Sequence, residues 1–381
     1  MTSASSKTPA SLGFSFPAEW ERHEGTWFSW PRPEGISFPG KYHTVPANIS
    51  HIFHEIARRE NLHINVPNEN YERIVREQIV KSKENPLGVP PALLAKRVTF
   101  HYIKTNEAWC RDHGPAFLVR EGRNGKRELA IVDWAFNAWG GKYPPWDADD
   151  AVPSEIAKVV VGPSRKKLPV FHPALVMEGG SVDFNGKGTV LTTEQCLLNK
   201  NRNPTKSRAQ IERFLKDYYG QKHVLWLGEG IEGDDTDGHV DDLARFINPT
   251  TIVIGIEQDP KHANFKPLRE ARRRLELAKD QDGRPFTIIE MPMPGHVEHD
   301  GQVLPATYMN FSFVNGAVLL PTYRNKKNDA LAAKILAKAL PKHEIVPIDC
   351  FELIWGLGSI HCLSQQVPWG VKVVKQGPVE A

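Results

Sequence analysis

Residues 309–323, MNFSFVNGAVLLPTY, place an Asn-Gly dipeptide between two runs of strand-forming residues. Asn-Gly in this setting predicts a β-hairpin, because both residues tolerate the positive φ angles of a tight two-residue turn. A helical pattern follows at 328–340, and a strand-like run, HEIVPID, follows at 343–349. The segment therefore predicts one β-β-α-β unit.

The same unit recurs upstream at nearly even spacing. Turn dipeptides begin at Asn124, Asn185 and Asn248, and the intervals up to Asn315 are 61, 63 and 67 residues. Each turn is followed by a window whose apolar residues recur every three or four positions, as in an amphipathic helix, and then by a short strand-like run. The helical windows are 149–161, 205–219 and 265–279.

A partial copy of the unit opens the chain. It consists of a strand at 25–31, a helix at 48–60 and a strand at 61–67. A further helix at 70–80 and a strand at 97–104 have the pattern of an insertion in this first unit.

Five units of this size cannot each bury their own apolar face. Closing them into a ring would bury a common core and leave only short sheet edges. We therefore predict an α/β protein, namely a five-bladed pseudo-symmetric α/β propeller of ββαβ units. It would be a single domain over 1–381, with roughly the first 15 and the last 10 residues peripheral. The alternative is an open α/β sheet in which the even turn spacing is accidental.

Composition narrows the class of protein. The chain has 381 residues, with 48 Lys+Arg against 45 Asp+Glu and a net charge of +3. This balance predicts no nucleic-acid partner, and no apolar run approaches the roughly 20 residues that a membrane span requires. The four cysteines form no CxxC pair, which fits a reducing cytoplasm. Cys196 and Cys350 are expected to pack in the core, and Cys110, close to Asp112, is a rival to Cys362 as a candidate nucleophile.

Polar residues recur at one phase of the repeat. Asp112, Glu178, His239 and Asp241 lie shortly before a predicted hairpin, and Cys362 lies where a sixth unit would start. Equivalent positions of pseudo-symmetric units would meet near the axis of a closed ring. The spacing therefore predicts one central pocket that contains carboxylates, an imidazole and a thiol.

This set of side chains has a chemical interpretation. A cysteine attacks as its thiolate, whose pKa is ordinarily about 8.5. Facing carboxylates would repel that thiolate unless the substrate is a cation lying between them. A guanidinium is planar and cationic, and carboxylates bind it in bidentate fashion. The set therefore indicates attack by a thiolate on a guanidinium carbon.

Five motifs, in order, resemble agmatine deiminases, which belong with the Porphyromonas-type peptidylarginine deiminases in the guanidine-modifying (pentein-fold) superfamily. The resemblance runs from Phe16 to Pro368. The motifs are WCRDHGP at 109–115, FNAWGGKYPPWDADDAVP at 136–153, MEGGSVDFNGKGTVLTTEQCLLNKNRNP at 177–204, GDDTDGHVDDLARF at 233–246 and GSIHCLSQQVP at 358–368.

The resemblance implies a hydrolase that converts agmatine to N-carbamoylputrescine and ammonia in polyamine (putrescine) biosynthesis, through a covalent thiouronium intermediate. It implies that Cys362 is the nucleophile and His239 the general acid and base. Asp112 and Asp241 would hold the guanidinium nitrogens, and Glu178 would support His239. No metal or organic cofactor is implied, and relatives of this kind form homodimers or larger homo-oligomers.

The resemblance also implies which residues shape the substrate channel. Trp109 and Trp139 would flank the substrate, and Gly140, Gly141 and Gly358 would let the backbone approach it.

Two segments depart from the usual family pattern. The segment before Cys362 reads GLGSIHC where the family usually has GGGNIHC, so Leu357 and Ser359 are changes, and His113 stands where the family usually has Thr. Both changes are expected near the pocket. They leave free or peptidyl arginine open as alternative substrates to agmatine.

Two other functions remain as alternatives. An Asp/His cluster could serve a metal-dependent ureohydrolase, which would release urea, but the second Asp-rich segment that such an enzyme needs is missing. A binding protein for arginine-like ligands would keep the carboxylates and have no use for Cys362. The cluster comprises Asp234, Asp235, Asp237, His239, Asp241 and Asp242.

Overall fold

The structure is a computed structural model that describes residues 7–81, 89–122 and 125–373. Within these residues the strands are β1 (His23–Ser29), β2 (Asn61–Val66), β3 (Val98–Tyr102), β4 (Ala116–Glu121), β5 (Arg127–Val132), β6 (Val160–Val161), β7 (Val170–Phe171), β8 (Val182–Phe184), β9 (Thr189–Thr193), β10 (His223–Leu227), β11 (Ala244–Asn248), β12 (Thr251–Ile256), β13 (Thr287–Pro292), β14 (Glu298–His299), β15 (Gln302–Val303), β16 (Ser312–Val314), β17 (Ala317–Thr322), β18 (Glu344–Asp349), β19 (Ser364–Pro368) and β20 (Lys372–Val373).

The helices of the same residues include several that are only one turn long. They are α1 (Val45–Ala57), α2 (Glu69–Lys81), α3 (Pro91–Arg97), α4 (Cys110–His113), α5 (Ala138–Gly141), α6 (Asp147–Asp150), α7 (Val152–Val159), α8 (Glu194–Leu197), α9 (Arg208–Tyr219), α10 (Phe265–Leu277), α11 (Lys326–Ala339) and α12 (Ile360–Leu363). None of these described helices is long and apolar enough to cross a bilayer.

Four sheets share one strand order: an antiparallel hairpin, then a helical connection, then a strand parallel to the second hairpin strand. They are β4-β5-β7, β8-β9-β10, β11-β12-β13 and β16-β17-β18. The strand order matches the predicted β-β-α-β unit, so the mixed α/β class is confirmed. The sheets of the described residues are separate, and none of them closes on itself.

The fifth such sheet, β19-β1-β2-β3, joins the two ends of the chain. Strand β19 pairs antiparallel with β1, with Gln365 opposite Trp27, and β2 then runs parallel to β1. The missing hairpin strand of the first unit is thus supplied from the far end of the sequence. Strand β3 adds to the other edge of this sheet, as expected for an insertion.

The predicted turns connect their strands where the structure describes them. Gly186 and Gly316 have φ of 67° and 79°, the left-handed region that glycine enters without steric penalty. Asn248 ends β11, and its side chain accepts a hydrogen bond from the backbone N–H of Thr250. Asn124 lies outside the described residues.

Helix α9 shows why the predicted helices form and pack. It begins at Ser207, whose hydroxyl accepts from the N–H of Gln210 in a capping box, and ends at Gly220 with φ of 68°. Its buried residues, Ile211, Leu215 and Tyr219, recur every four positions and lie on one face. Burying each such side chain stabilises the fold by about 1.5–3 kcal/mol.

Short helical turns immediately before four of the hairpins bring their side chains together. Helix α4 precedes β4, and α12 precedes β19; α4 packs against α12 and against the 3-10 turn Gly179–Ser181 before β8. The 3-10 turn Gly179–Ser181 also packs against the 3-10 turn Val240–Asp242 before β11. The polar residues of separate sheets therefore meet at one place.

Candidate active site

Side chains from all five sheets meet at a buried centre. Each belongs to the few residues before the first hairpin strand of its sheet, and each is at most 6% exposed. The five are Asp112 before β4, Glu178 before β8, Asp241 before β11, Asn310 before β16 and Cys362 before β19.

Cys362 lies at the inner end of a cavity of about 220 Å³. Its Sγ accepts a hydrogen bond from Asn310 Nδ2 at 2.9 Å and lies 3.7 Å from Asp241 Oδ2. Burial raises the pKa of the Cys362 thiol well above its usual value, and the carboxylates of Asp241 and Asp242 raise it further, while the Asn310 hydrogen bond opposes them. A cation bound beside Cys362 would favour the thiolate.

His239 is fully buried among acids, and neither of its ring nitrogens makes a hydrogen bond within the described part of the chain. Its Nδ1 lies 3.7 Å from Asp112 Oδ1, and its Nε2 lies 3.9 Å from Glu178 Oε2. Burial disfavours the imidazolium, but the charge of Asp112 and the neighbours Cys196 and Glu178 outweigh it and raise the pKa of His239 well above its usual value. The imidazolium can therefore donate a proton.

Glu178 is held by a buried arginine. Arg202 Nε donates to Glu178 Oε1 at 2.6 Å, and burial of this carboxyl is outweighed by the Arg202 charge, which lowers the pKa of Glu178. Cys196 Sγ lies 3.9 Å from the other oxygen of Glu178. Cys196, expected only as a core residue, is thus buried beside the site.

Asp112 carries the most exposed charge of the centre, since it also lines the cavity. Its Oδ2 accepts from Trp139 Nε1 at 3.0 Å, and its Oδ1 accepts from the N–H of Gly180 at 3.0 Å. Burial, together with the charges of Asp241 and Glu178, raises the pKa of Asp112 to about 6.

A second histidine, His361, favours the ionised form of Asp241. Its Oδ2 lies 2.7 Å from His361 Nδ1, and this contact outweighs burial and lowers the pKa of Asp241. Its Oδ1 makes no hydrogen bond to any described residue. A buried carboxylate oxygen without a donor is available to a ligand N–H.

The two glycines of the MEGG motif permit this crowding. A Cβ on Gly179 would lie 2.1 Å from the carbonyl oxygen of Arg111. A Cβ on Gly180 would lie 2.6 Å from His239 Nδ1 and 2.9 Å from Asp112 Oδ1. No other residue can occupy either position without displacing the site.

The cavity above Cys362 has aromatic walls and acidic groups. Its lining residues are Ile36, Ser37, Pro39, Glu107, Trp109, Asp112, Trp139, Tyr143, Asp235, Thr236, Gln302, Trp355, Gly356, Leu357, Gly358 and Cys362. Three of these are carboxylates, and none of the described lining residues is Lys or Arg. The shape and charge suit a slender cationic ligand.

The predicted channel residues occupy different places. Trp109, Trp139 and Gly358 line the cavity, and a Cβ on Gly358 would lie 2.6 Å from the Trp109 ring. Gly140 and Gly141 are not among the lining residues. Gly140, with φ of 91°, instead abuts Asn201 and shapes the turn that carries Trp139.

The two departures from the family pattern differ in location. Leu357, with φ of 66°, lines the cavity, as expected. His113 is not itself a lining residue, although it directly follows Asp112, which lines the cavity. Its Nε2 instead lies 3.1 Å from Ser29 Oγ in the core, and burial lowers the pKa of His113 to about 3.

Asn310 was missed in the sequence, although it lies within the stretch that specifies the last hairpin. The repeat phase contained the signal, because Asn310 precedes its turn at Asn315 by five residues and Glu178 precedes its turn by seven. The predicted set at that phase contained only titratable residues and so did not include this amide.

Among the residues that the structure describes, two groups of donors lie close enough to hold a metal ion: Glu178, Cys196 and His239, and Asp241, Asp242 and Cys362. In the first group the Arg202 guanidinium already contacts Glu178, and it would repel a metal cation. The rest of the Asp cluster is engaged elsewhere: Asp234 binds backbone N–H groups, Asp235 the Tyr143 hydroxyl, and Asp237 Lys142 and Arg202.

The same chain matches the model of the Porphyromonas-type peptidyl-arginine deiminases over residues 15–368. This chain belongs to that family. An agmatine deiminase of Pseudomonas aeruginosa is 35% identical over 384 residues, covering 95% of this chain and 97% of that protein. The resemblance inferred from the five motifs is therefore confirmed.

Solved structures of family members share the fold. An Enterococcus faecalis agmatine deiminase has a TM-score of 0.83 at 31% identity, over 96% of this chain and 98% of that one. A C. jejuni agmatine deiminase with substrate bound has a TM-score of 0.80 at 31% identity, over 94% and 97% of the two chains. The family fold thus extends over nearly the whole length of this deiminase-family member.

Proposed function

We propose that this protein hydrolyses agmatine to N-carbamoylputrescine and ammonia in the cytoplasm, as a step of polyamine synthesis. The observation that carries the proposal is the cavity itself. It places the Cys362 thiol beside Asp112 and Asp241, and its described lining residues include carboxylates but no cation. Relatives named agmatine deiminases support the choice of substrate.

The geometry supports a two-stage reaction without a metal or cofactor. Asp112 and Asp241 accept hydrogen bonds from the guanidinium nitrogens, and the bound cation stabilises the Cys362 thiolate. The thiolate forms a C–S bond to the guanidinium carbon, and one C=N electron pair moves onto nitrogen. The imidazolium of His239 protonates the departing nitrogen, so the C–N bond breaks and ammonia leaves.

The second stage restores the enzyme. The neutral His239 takes a proton from water, which attacks the thiouronium carbon, and the C–S bond then breaks to release the Cys362 thiolate. The second O–H proton of that water passes to solvent, so the ureido product leaves neutral. Glu178, ionised beside Arg202, stabilises the imidazolium in both stages. The sum is one water consumed and one ammonia released.

The charges of the cavity favour agmatine over arginine. Free arginine carries an α-carboxylate that would enter a cavity with Glu107 and Asp235 on its walls and no Lys or Arg among its described lining residues. Agmatine has a hydrogen where arginine has this carboxylate, and it keeps the ammonium group. We therefore expect free and peptidyl arginine to be poor substrates.

A proposal about the fold accompanies the proposed function. We infer that the five sheets are the five blades of a pseudo-symmetric ring that forms one domain over residues 1–381. The pairing of β19 with β1, and the meeting of five pre-hairpin side chains, support it. A homodimer or larger assembly remains a prediction from family membership, which light scattering tests.

A substrate panel in the presence of EDTA tests the function. Agmatine, free arginine and a peptidyl arginine are incubated with the protein, and ammonia, urea and ureido product are measured. We expect ammonia and carbamoylputrescine from agmatine, at least about 10²-fold faster than from arginine, since an unpaired buried carboxylate is costly. Urea, loss of activity to EDTA, or binding without turnover would overturn the proposal.

A further inference from the structure

Asn310 precedes the sheet β16-β17-β18 at the position where acids precede three other sheets. Asp112, Glu178 and Asp241 precede β4, β8 and β11, and Asn310 precedes β16 by two residues. It is 1% exposed and contacts Cys362 directly. Asn310 is thus a neutral amide at a position where three of the other four sheets have a carboxylate.

The orientation of the amide follows from its partners. Asn310 Oδ1 accepts hydrogen bonds from Ser359 Oγ at 3.0 Å, from the N–H of His361 at 3.0 Å and from the N–H of Cys362 at 3.2 Å. All three are donors in this arrangement, and two are backbone groups with a fixed role, so the oxygen must face them. The Nδ2 group therefore faces the other side.

The two hydrogens of Nδ2 have three acceptors within reach, of which Asp241 Oδ2, at 3.4 Å, is the farthest. Each hydrogen has a nearer acceptor. One is directed at Asp242 Oδ1, 3.0 Å away, and the other at Cys362 Sγ, 2.9 Å away. The Asp242 contact orients the amide, because an acceptor on that side excludes the flipped form. The second hydrogen faces the sulfur, which lies closer to Nδ2 than Asp241 Oδ2 does.

We propose that Asn310 is a positioning residue that holds Cys362 in place through Oδ1 and stabilises its thiolate through Nδ2. An acid of the same shape would hold the backbone equally well and would place a negative charge against the sulfur. This difference in charge explains why the position before β16 bears an amide and not an acid. The proposal rests on the proposed function only in assigning the thiolate a role in turnover.

The experiment measures the thiolate without turnover. Full-length wild type and Asn310→Asp are alkylated with iodoacetamide from pH 5 to 10, and modification of Cys362 is followed by peptide mass spectrometry. We expect the midpoint of the Asn310→Asp profile to rise by about one pH unit or more, because a hydrogen bond to a charged group is lost. The rate at pH 7 should fall about tenfold or more.

Kinetics and controls separate the two roles. With agmatine, Asn310→Asp should lower kcat about tenfold or more and change KM less, since the amide contacts the sulfur and not the cavity wall. Asn325→Asp is the matched control: Asn325 caps α11 in the same unit, away from Cys362, and its profile should equal wild type. Thermal melting checks that each variant is folded, and Asn310→Ala replaces Asn310→Asp if the latter does not fold.

Each outcome decides the proposal. An unshifted alkylation profile in folded Asn310→Asp or Asn310→Ala, or a wild-type Cys362 that never reacts, would overturn it. A shifted profile in a protein that does not hydrolyse agmatine would support the role of Asn310 and would instead refute the proposed function.

Discussion

Two clusters of buried charge lie next to each other in this protein, and they differ in how fully their charges are paired. In the first, which we call the paired cluster, Arg245 binds the carboxylates of Glu19 and Asp183 and donates to the carbonyl of Phe311. Burial of Glu19 would raise the pKa of this carboxyl, but the charges of Arg245 and His361 lower it. Its side-chain polar atoms all have partners within the described residues.

In the second, which we call the site cluster (Asp112, Glu178, His239, Asp241 and Cys362), several polar atoms lack a hydrogen-bond partner within the described residues. Both ring nitrogens of His239 and one oxygen of Asp241 make no hydrogen bond within the described residues. Asp112 has its pKa raised to about 6 by burial and by neighbouring acids. Buried groups of this kind are rare in structural networks and common where a ligand completes the pairing.

The contrast separates two uses of buried charge. The paired cluster fixes how the sheets meet, and the site cluster is completed only by a cation from outside. His361 joins them, because its Nδ1 lies 2.7 Å from Asp241 and its Nε2 lies 3.2 Å from Glu19. Substitutions in the two clusters should therefore affect different properties.

The largest effect is expected at the sulfur of the site cluster. Cys362→Ala should reduce agmatine turnover by roughly 10⁴-fold or more, as loss of a nucleophile does, and should retain agmatine binding by calorimetry. Cys350→Ala is the control, since Cys350 is buried outside the cavity. Turnover by Cys362→Ala at a rate near wild type would move the reacting group elsewhere.

The next prediction compares Asp112, an acid of the site cluster, with Glu19, an acid of the paired cluster. Asp112→Asn should lower kcat/KM by roughly 10²–10³-fold, because it removes a buried charge that pairs with the substrate, with no loss of thermal stability. Glu19→Gln should instead lower the free energy of unfolding by about 3 kcal/mol, since it breaks a buried ion pair. Denaturant unfolding and steady-state kinetics measure both.

That pair of variants can also refute the distinction. If Asp112→Asn loses as much unfolding free energy as Glu19→Gln, the site cluster is structural and the contrast is wrong.

A smaller effect is expected from crowding the site cluster. Gly180→Ala would place a methyl group 2.6 Å from His239 Nδ1 and should lower kcat/KM about 10²-fold by displacing the imidazole. Gly228→Ala is the control, because the nearest atom to its Cβ lies 3.8 Å away. Equal activity of the two variants would mean that the position of His239 is not critical.

The smallest predicted effect is an acidic limb in the pH profile of kcat/KM. Asp112 must be ionised to bind a cation, and its pKa is raised to about 6, so it is ionised above that pH and protonated below it. The value of kcat/KM for agmatine should therefore fall about tenfold for each pH unit below about 6, while the substrate itself stays charged. The same limb should be absent from Asp112→Asn; its persistence there would assign it to another group.

The parts of the fold that could be predicted are those with local causes. The turns at Gly186 and Gly316 and the buried face of α9 follow from residue conformation and from helix periodicity, which neighbouring residues determine. The position of Cys362 beside the acids followed from repeat phase. The contact of Cys196 with Glu178, and the absence of His113 from the cavity lining, could not be predicted in this way. Which side of a short turn faces the site depends on the sheets that pack against it.

For the site, the sequence was sufficient to indicate a thiol, an imidazole and carboxylates at equal phase, since residue type and spacing are local properties. Tertiary structure decided which of their atoms lack partners, that Arg202 ionises Glu178, and that the Asn310 amide faces the sulfur. These depend on distances of 2.6–3.9 Å between sheets, and desolvation and Coulomb interactions at that range arise only after the chain has packed.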